Sequence, residues 1–563
     1  MKRVLFATAI LCAVCVRASL AADVPPYEPP HDAFFPTPAY FHNHFGAPPT
    51  RVQLEGPIGL AQYVRDGKIV LSLRDYLDLV MNNNADITVQ RVEVQLYENA
   101  ITRAFAIFDP FANAFFQDTR SKTPSNSALN GARTLNQLSQ PLNLSFQQLT
   151  PTGGSYAIGF SDTKLSTNST FATYNPSYTQ NLNFSFNQPL LRNFGPYITK
   201  LPITIARSRL RQGSFILQDQ VTQLVAGAES SYWDVVEARE ALRVQEESLR
   251  LSEAALKRTQ REIELGATSA LDVYQPQQQY TTAQLSVAQA RFRLIQTEDV
   301  IRRQTGLDLD PNLRPLPIEL TESPEIVTTE LNFDTSDTIS KAMSTRFDLQ
   351  GLRQSVSTDD LLVAQAKNQM KPALSLTLNY GAYGQGGNFY GGQAFDVNGN
   401  PAPAATVVPG GPLDALNQLF GFGFPTYSIG LNLSLPIRDR NATANLADAL
   451  VSRKADLYRI RSTEESVRQQ VLNALTSIEQ SKESIALAQK VQDLARKRVD
   501  AEQKKYDLGT TTIFFVLAAQ TDLTLAESTL VRESINLRRN LLGLYQSTGD
   551  LLNQRSIRLT IPQ

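Results

Sequence analysis

The sequence predicts an α+β membrane protein built by internal duplication, in which long coiled-coil helical hairpins alternate with β-strands of a transmembrane barrel. Three observations predict it. A nine-residue phrase, LGATSALDV at 265–273, returns as LGTTTIFFV at 508–516, 243 residues later counted from Gly266 to Gly509. Apolar residues recur every seven positions on both sides of each phrase. Ahead of each such region lie short runs that alternate apolar residues with small, uncharged polar ones.

In chain order, residues 1–22 read as an export signal: a basic start (MKR), an apolar run (VLFATAILCAV) and a small-residue cleavage region (ASLAAD). The apolar run is too short to span a bilayer. Both cysteines, Cys12 and Cys15, lie inside it. Neither follows a small residue, as a lipid-anchored cysteine would, so the mature chain is expected to be exported and free of thiols. No later run is long and apolar enough for a membrane helix; a chain of this kind crosses a membrane only as a closed β-barrel.

Residues 23–68 form a proline-rich leader carrying all three histidines, His31, His42 and His44. Proline at this density disfavours helix and strand alike, which predicts an extended leader. Exposed linker histidines are preferred over a histidine metal site there. A first helical segment is expected over 69–107, opening at Ser72 with Asp75 as its capping-box acid.

Residues 108–200 form the first strand region. A mixed strand is expected near 110–118 and a clear one at 179–188, where Leu182, Phe184 and Phe186 alternate with Asn183, Ser185 and Asn187. An extra pair, about 142–148 and 155–161, is joined by PTGG at 151–154. The alternation alone does not say whether this pair widens a barrel or forms an extracellular flap. In the second strand region, 371–440, Leu374, Leu376, Leu378 and Tyr380 alternate with Ser375, Thr377 and Asn379, and a second run follows at 429–435. The intervening Gly/Pro/Ala/Asn-rich stretch 384–411 reads as an outer loop. A soluble sandwich would alternate similarly; the nearly charge-free polar faces, the export signal and tyrosines near strand ends (Tyr178, Tyr380, Tyr427) favour lipid on one side and a watery lumen on the other.

The first helical hairpin is expected over 201–310, with Val221, Ala228, Val235, Leu242, Leu249, Leu256 and Ile263 on its ascending stripe and Val273, Tyr280, Val287, Leu294 and Ile301 on its descending one. A linker (311–335) and a helical segment (336–370) follow. The second hairpin occupies 441–551, with Val471, Ile478, Ile485, Val499 and Tyr506 going up and Val516, Leu523, Leu530, Leu537 and Leu544 coming down; 552–563 is a C-terminal tail. An arm of about 60 residues, at about 1.5 Å each, is about 90 Å long, too long to bury its stripe in a globular core. It must pack against other arms, as in a duct or stalk.

Catalytic chemistry is missing. There is no GxSxG, HExxH, phosphate-binding glycine loop or cysteine pair, and the histidines all lie in the leader, so no catalytic residue, cofactor or metal site is expected. A balance of 53 basic against 54 acidic residues implies no nucleic-acid partner.

Two strand regions alternating with two long helical hairpins in an exported, duplicated chain resemble the TolC-like outer-membrane efflux channel family. Local phrases carry the same resemblance: FSFNQPLL (184–191), SYWDVVEA (231–238), RFDLQGLR (346–353) and LNLSLPIRD (431–439). It covers about Ile69 to Leu552 and leaves the signal, the leader and the extra strand pair outside. It implies a homotrimer in outer-membrane lipid, each subunit giving four strands to a shared twelve-stranded β-barrel and its helices to a periplasmic α-barrel. It also implies a periplasmic adaptor (membrane fusion protein), an inner-membrane transporter, and passive export of drugs, metals or proteins in a tripartite efflux or type I secretion system.

The repeated phrase then reads as the two hairpin tips. Gly266 and Gly509 suit the left-handed conformation that closes a helix. Ser269 with Asp272 would cap the returning helix, and Thr512 would do the same without an acid at Phe515. By resemblance Gly266, Thr268, Ser269, Asp272, Gly509 and Thr512 form the periplasmic tips that contact the adaptor. Family members often carry aspartates at the positions of Phe515 and Ala518; here IFFVLAA (513–519) predicts an apolar gate of Phe514 or Phe515, with Ala518, and a weakened cation preference. The alternative is a periplasmic adaptor or coiled-coil scaffold, which would carry one hairpin between split lipoyl-like halves.

Overall fold

The computed structural model describes residues 37–45, 57–126, 130–266, 268–323, 332–391 and 406–559. The export signal, most of the leader with His31, and the side chains of His42 and His44 lie outside the described residues.

The body is a layer of helices. Its two longest members are α4 (Leu201–Glu264) and α9 (Arg440–Asp507), of 64 and 68 residues. At about 1.5 Å per residue they are about 96 and about 102 Å long. Shorter helices lie along them: α2 (Leu73–Asn83), α3 (Ala85–Phe105), α5 (Tyr274–Thr305), α6 (Thr335–Thr345), α7 (Phe347–Gln369) and α10 (Ile513–Ser547). Helix α4 packs against α3 and α5 on one flank and against α7 and α10 on the other, and α9 packs against α7 and α10. Each long helix is thus flanked by a short helix toward the strands and another toward the tip.

The heptad stripe explains this layer, and burial along it is uneven. Val221, Ala228 and Val235 are buried, whereas Leu242, Leu249, Leu256 and Ile263 toward the tip are only half-buried. The main core forms a collar where α2, the middle of α4 and the ends of α5 and α10 meet, around Tyr76, Val225, Tyr232, Trp233, Ile301 and Ile535. A small sheet completes it: β1 (Val64–Arg65), β2 (Lys68–Leu71) and β8 (Ile318–Leu320), with β2 and β8 parallel. These strands correct the linker expected over 311–335 and the helix expected from residue 69. Their pairing joins segments almost 250 residues apart (Ile69 with Ile318), which no local periodicity records. The helix itself starts as predicted, with Ser72 and Asp75 exchanging capping hydrogen bonds.

The second layer is one antiparallel sheet of eight strands in six positions. Across it run the edge position β3 (Phe111–Phe116) with β4 (Thr119–Pro124), then β5 (Thr134–Leu149), β6 (Ser155–Thr167), β7 (Tyr174–Pro189) and β9 (Ala373–Gly391). Strands β11 (Pro425–Ser434) and β10 (Thr406–Val408) form the other edge. The edge strand breaks between β3 and β4 opposite Pro141, which has no N–H to offer, and the Gln117 amide still donates to the Pro141 carbonyl at 3.1 Å. The sheet of one chain thus has six positions, β5 and β6 being inserted between β3 and β7 and paired with each other from Gln137 with Thr167 to Leu149 with Ser155.

Two further expectations change. The leader was expected to be extended, yet α1 (Pro38–Phe45) is helical, with its proline at the first helical position, where the missing N–H costs nothing. The outer loop expected over 384–411 is strand as far as Gly391, and helix α8 (Pro412–Phe420) lies across that strand. Glycine allows it: a Cβ on Gly384 would sit 2.1 Å from the Ala415 carbonyl oxygen, and one on Gly386 2.3 Å from that of Gly411. The C-terminal tail also docks, its Arg555 pairing with the buried Glu229 carboxylate of α4.

Candidate functional site

Two regions carry features beyond packing: the hairpin tips and the face of the large sheet.

At the first tip α4 ends in Gly266, whose φ of 73° is left-handed, with its amide donating to the Ile263 carbonyl at 2.9 Å. Ser269 and Asp272 form the expected capping box, the Ser269 amide donating to the Asp272 carboxylate at 3.1 Å, and a single 3-10 turn, Ala270–Val273, leads into α5. Thr268 is half-buried in the turn between them. At the second tip Gly509 has φ 71°, its amide donates to Tyr506 and that of Thr510 to Lys505, the paired bonds of a Schellman cap. Thr512 departs from expectation. Its backbone is extended like an N-cap, but its hydroxyl accepts no hydrogen bond from the helix amides. With Phe515 at the third helical position, no carboxylate answers the Thr512 amide, and the reciprocal box that fixes Ser269 cannot form.

The structure brings the two tips side by side through residues the phrase does not contain. Arg258, near the end of α4, donates to Asp507 at 2.7 Å and to Glu262 at 2.9 Å, and lies over the Tyr506 ring at 4.6 Å. The Tyr506 hydroxyl donates to Glu262 at 2.5 Å. Burial, then the adjacent Glu262 carboxylate, pushes the Tyr506 hydroxyl up to about 12, so it stays protonated and donating. Burial would lower Arg258, but its bonds to Glu262 and Asp507 outweigh it and raise the guanidinium above its usual value. Arg258 in turn holds the Asp507 carboxyl below the usual range. Only the stripe position of Tyr506 signals this cluster in the sequence.

Phe514 and Phe515 stand edge to face, ring centres 5.4 Å apart, both about half exposed (52% and 49%). Behind them Val516, Leu517 and Ala519 are buried, and Ala518 is half-buried. Farther along the second hairpin, Leu487, Val491 and Leu494 are exposed, as are Leu285 and Phe292 on α5.

The large sheet has two faces of different character. On one, register lines up Phe146, Ile158, Phe184, Tyr380 and Tyr427 in one row, with Tyr156, Phe186, Leu378 and Ile429 in the next row on one side and Leu144, Phe160 and Leu182 in the next row on the other. The other face carries Ser145, Gly159, Asn183, Asn181 and Asn432, all small and uncharged. Ile429, at 77% exposure, and Leu431, at 71%, show how openly the apolar face is presented. Among the described residues no helix is long and apolar enough to cross a membrane, and no His/Cys/Asp/Glu group could hold a metal ion.

Residues 155–307 and 338–550, well over half the chain, match the family model described as outer membrane efflux protein. The chain belongs to that family. Solved channels of the family type share its fold at low identity. The CmeC outer membrane channel of Campylobacter jejuni aligns with a TM-score of 0.60 at 15% identity, covering 85% of this chain and 86% of that one. VceC of Vibrio cholerae gives 0.58 at 13% identity over 85% and 96%. The open-state MtrE channel of Neisseria gonorrhoeae gives 0.56 at 15% over 89% and 98%. No curated protein sequence matches significantly. The fold is thus that of TolC-like channels, a helical body joined to strands, and family and neighbours alike are channels rather than enzymes. The family match starts at Ser155, so β3, β4 and β5 precede it.

Proposed function

We propose that this efflux-family channel is the outer-membrane component of a tripartite efflux or type I secretion system, a passive duct from periplasm to exterior formed by three copies. The observation that carries the reading is the combination, in one subunit, of an open apolar belt on a sheet with helices about 100 Å long whose apolar stripes remain partly uncovered. Lipid covers the first and neighbouring copies cover the second. The 243-residue spacing, with left-handed Gly266 and Gly306 in the first hairpin matched by Gly509 and Gly549 in the second, supports an origin by duplication.

Within this reading the tips (Gly266, Thr268, Ser269, Asp272, Gly509 and Thr512) meet a periplasmic adaptor bound to an inner-membrane transporter. Phe514 and Phe515, with Ala518, narrow the duct as an apolar ring. The paired tips held by Arg258 and Tyr506 give the closed state, and energy comes from the transporter. Purified protein in planar bilayers tests this: stepwise ion conductance is expected, and a silent bilayer, also with the Tyr506→Phe variant that loosens the tips, would exclude a duct.

A further inference from the structure

Strands β5 and β6 were open to two readings, a flap outside the membrane or part of its wall. Register decides between them. Strand β5 places Leu142, Leu144 and Phe146 on one face, and β6 places Phe160, Ile158 and Tyr156 directly beside Leu144, Phe146 and Gln148. Strand β7 continues the row with Leu182, Phe184 and Phe186 opposite Phe160, Ile158 and Tyr156. Strand β9 then sets Ala382, Tyr380 and Leu378 against those three. The hairpin's apolar residues therefore stand at the same height as those of the flanking strands. Its opposite face, Asn143, Ser145, Gly159 and Ser161, repeats the small polar face of β7, with Asn181 donating to Ser161 at 3.4 Å. A flap in water has no use for an apolar band in register with its neighbours; a wall strand requires one. The short PTGG turn lies at the end near the helical body, as the inner turns of such barrels do.

We infer that β5 and β6 are wall strands, so that each subunit contributes six strands and three subunits close an eighteen-stranded barrel. This rests on the trimeric-channel reading. At about 4.8 Å between strands and a tilt of about 40°, twelve strands make a barrel about 24 Å across and eighteen one of about 36 Å, backbone to backbone. Allowing about 10 Å for inward side chains, the eighteen-stranded lumen is about 26 Å wide, lined by Asn, Ser, Thr and Gly. The barrel then selects neither by size nor by charge for solutes up to small folded domains. Selection is left to the helical tips.

The test uses single cysteines, clean because the only native ones, Cys12 and Cys15, lie in the predicted export signal. Ile158→Cys and Ser161→Cys on the hairpin are compared with Phe184→Cys and Asn183→Cys on β7, in the full chain in outer-membrane vesicles. A fluorophore at residue 158 is expected to be quenched by doxyl lipid as strongly as one at 184, and residues 161 and 183 are expected to react alike with a water-soluble maleimide. Quenching at 184 but not at 158 would overturn the eighteen-stranded wall and leave the channel standing. No quenching at 184 would overturn the channel reading and the inference with it. A three-fold averaged electron-microscopy map counts the strands independently: eighteen supports the inference and twelve refutes it.

Discussion

The tie between the tips is the most exposed part of the mechanism to experiment. Arg258→Ala removes ion pairs to Asp507 and Glu262 and a cation–π contact with Tyr506. The Asp507 carboxylate is solvated and its ion pair is screened, whereas the pair with the less exposed Glu262 is worth about 0.5 kcal/mol and the ring contact about 0.5–1 kcal/mol. Tyr506→Phe removes one hydrogen bond to a carboxylate, worth about 1.5 kcal/mol in this partly buried setting. If the tie exists only in the closed state, the double variant shifts closed against open by about 2.5–3 kcal/mol, roughly 70- to 160-fold. Open probability in planar bilayers reads this, and the double-variant cycle measures the coupling expected of groups sharing Glu262.

The titration signs are fixed. The raised Tyr506 contributes below its unfolded value near 10 and loses its share as pH rises through about 12. The lowered Asp507 contributes above its unfolded value near 4 and loses its share as pH falls through its lowered folded value. Open probability of the wild type is thus flat from about pH 5 to about pH 9. An unchanged open probability in both single variants and the double would refute the tie as a latch.

Three further outcomes are expected. Asp359, buried on α7 beside Asp456, has its carboxyl raised by burial and by that neighbour. A raised carboxyl favours the fold below its unfolded value and loses that contribution as pH rises through the folded one. Asp359→Asn should therefore stabilise at neutral pH by on the order of 1 kcal/mol, with the gain in melting temperature shrinking toward acid pH. Arg555→Ala strands the Glu229 carboxylate, 1% exposed, and should cost about 3–5 kcal/mol in denaturant unfolding, with Glu229→Gln in the same chain recovering much of the loss. Phe515→Asp should raise cation over anion permeability in reversal-potential measurements, and unchanged selectivity would remove the apolar gate.

Much of the helical body was legible because its cause is local. Val221, Ala228 and Val235 repeat at the coiled-coil period, and Gly266, Gly509, Ser269 and Asp272 announce caps by residue type alone. What escaped is non-local. The alternation of β5 and β6 was visible, but their place between β3 and β7 depends on pairing across the sheet, which periodicity does not encode. The parallel pair of Ile69 with Ile318 and the ion pair of Arg258 with Asp507 join segments about 250 residues apart for the same reason. Helix α8 was hidden because its neighbours Gly384 and Gly386 look like loop residues until a helix is found lying on them. Thr512 misled in the opposite sense, its residue type promising a side-chain cap that the structure does not form.

The central claim is that one chain reaches from the cell exterior to the tips in the periplasm, and labelling on intact cells tests it most directly. Asn168→Cys stands at the end of the sheet away from the long helices of the body, and Thr511→Cys at the second tip. A membrane-impermeant maleimide is expected to label residue 168 on intact cells and residue 511 only after the outer membrane is permeabilised. Labelling of both sites only after permeabilisation would contradict the account and leave a periplasmic scaffold in its place.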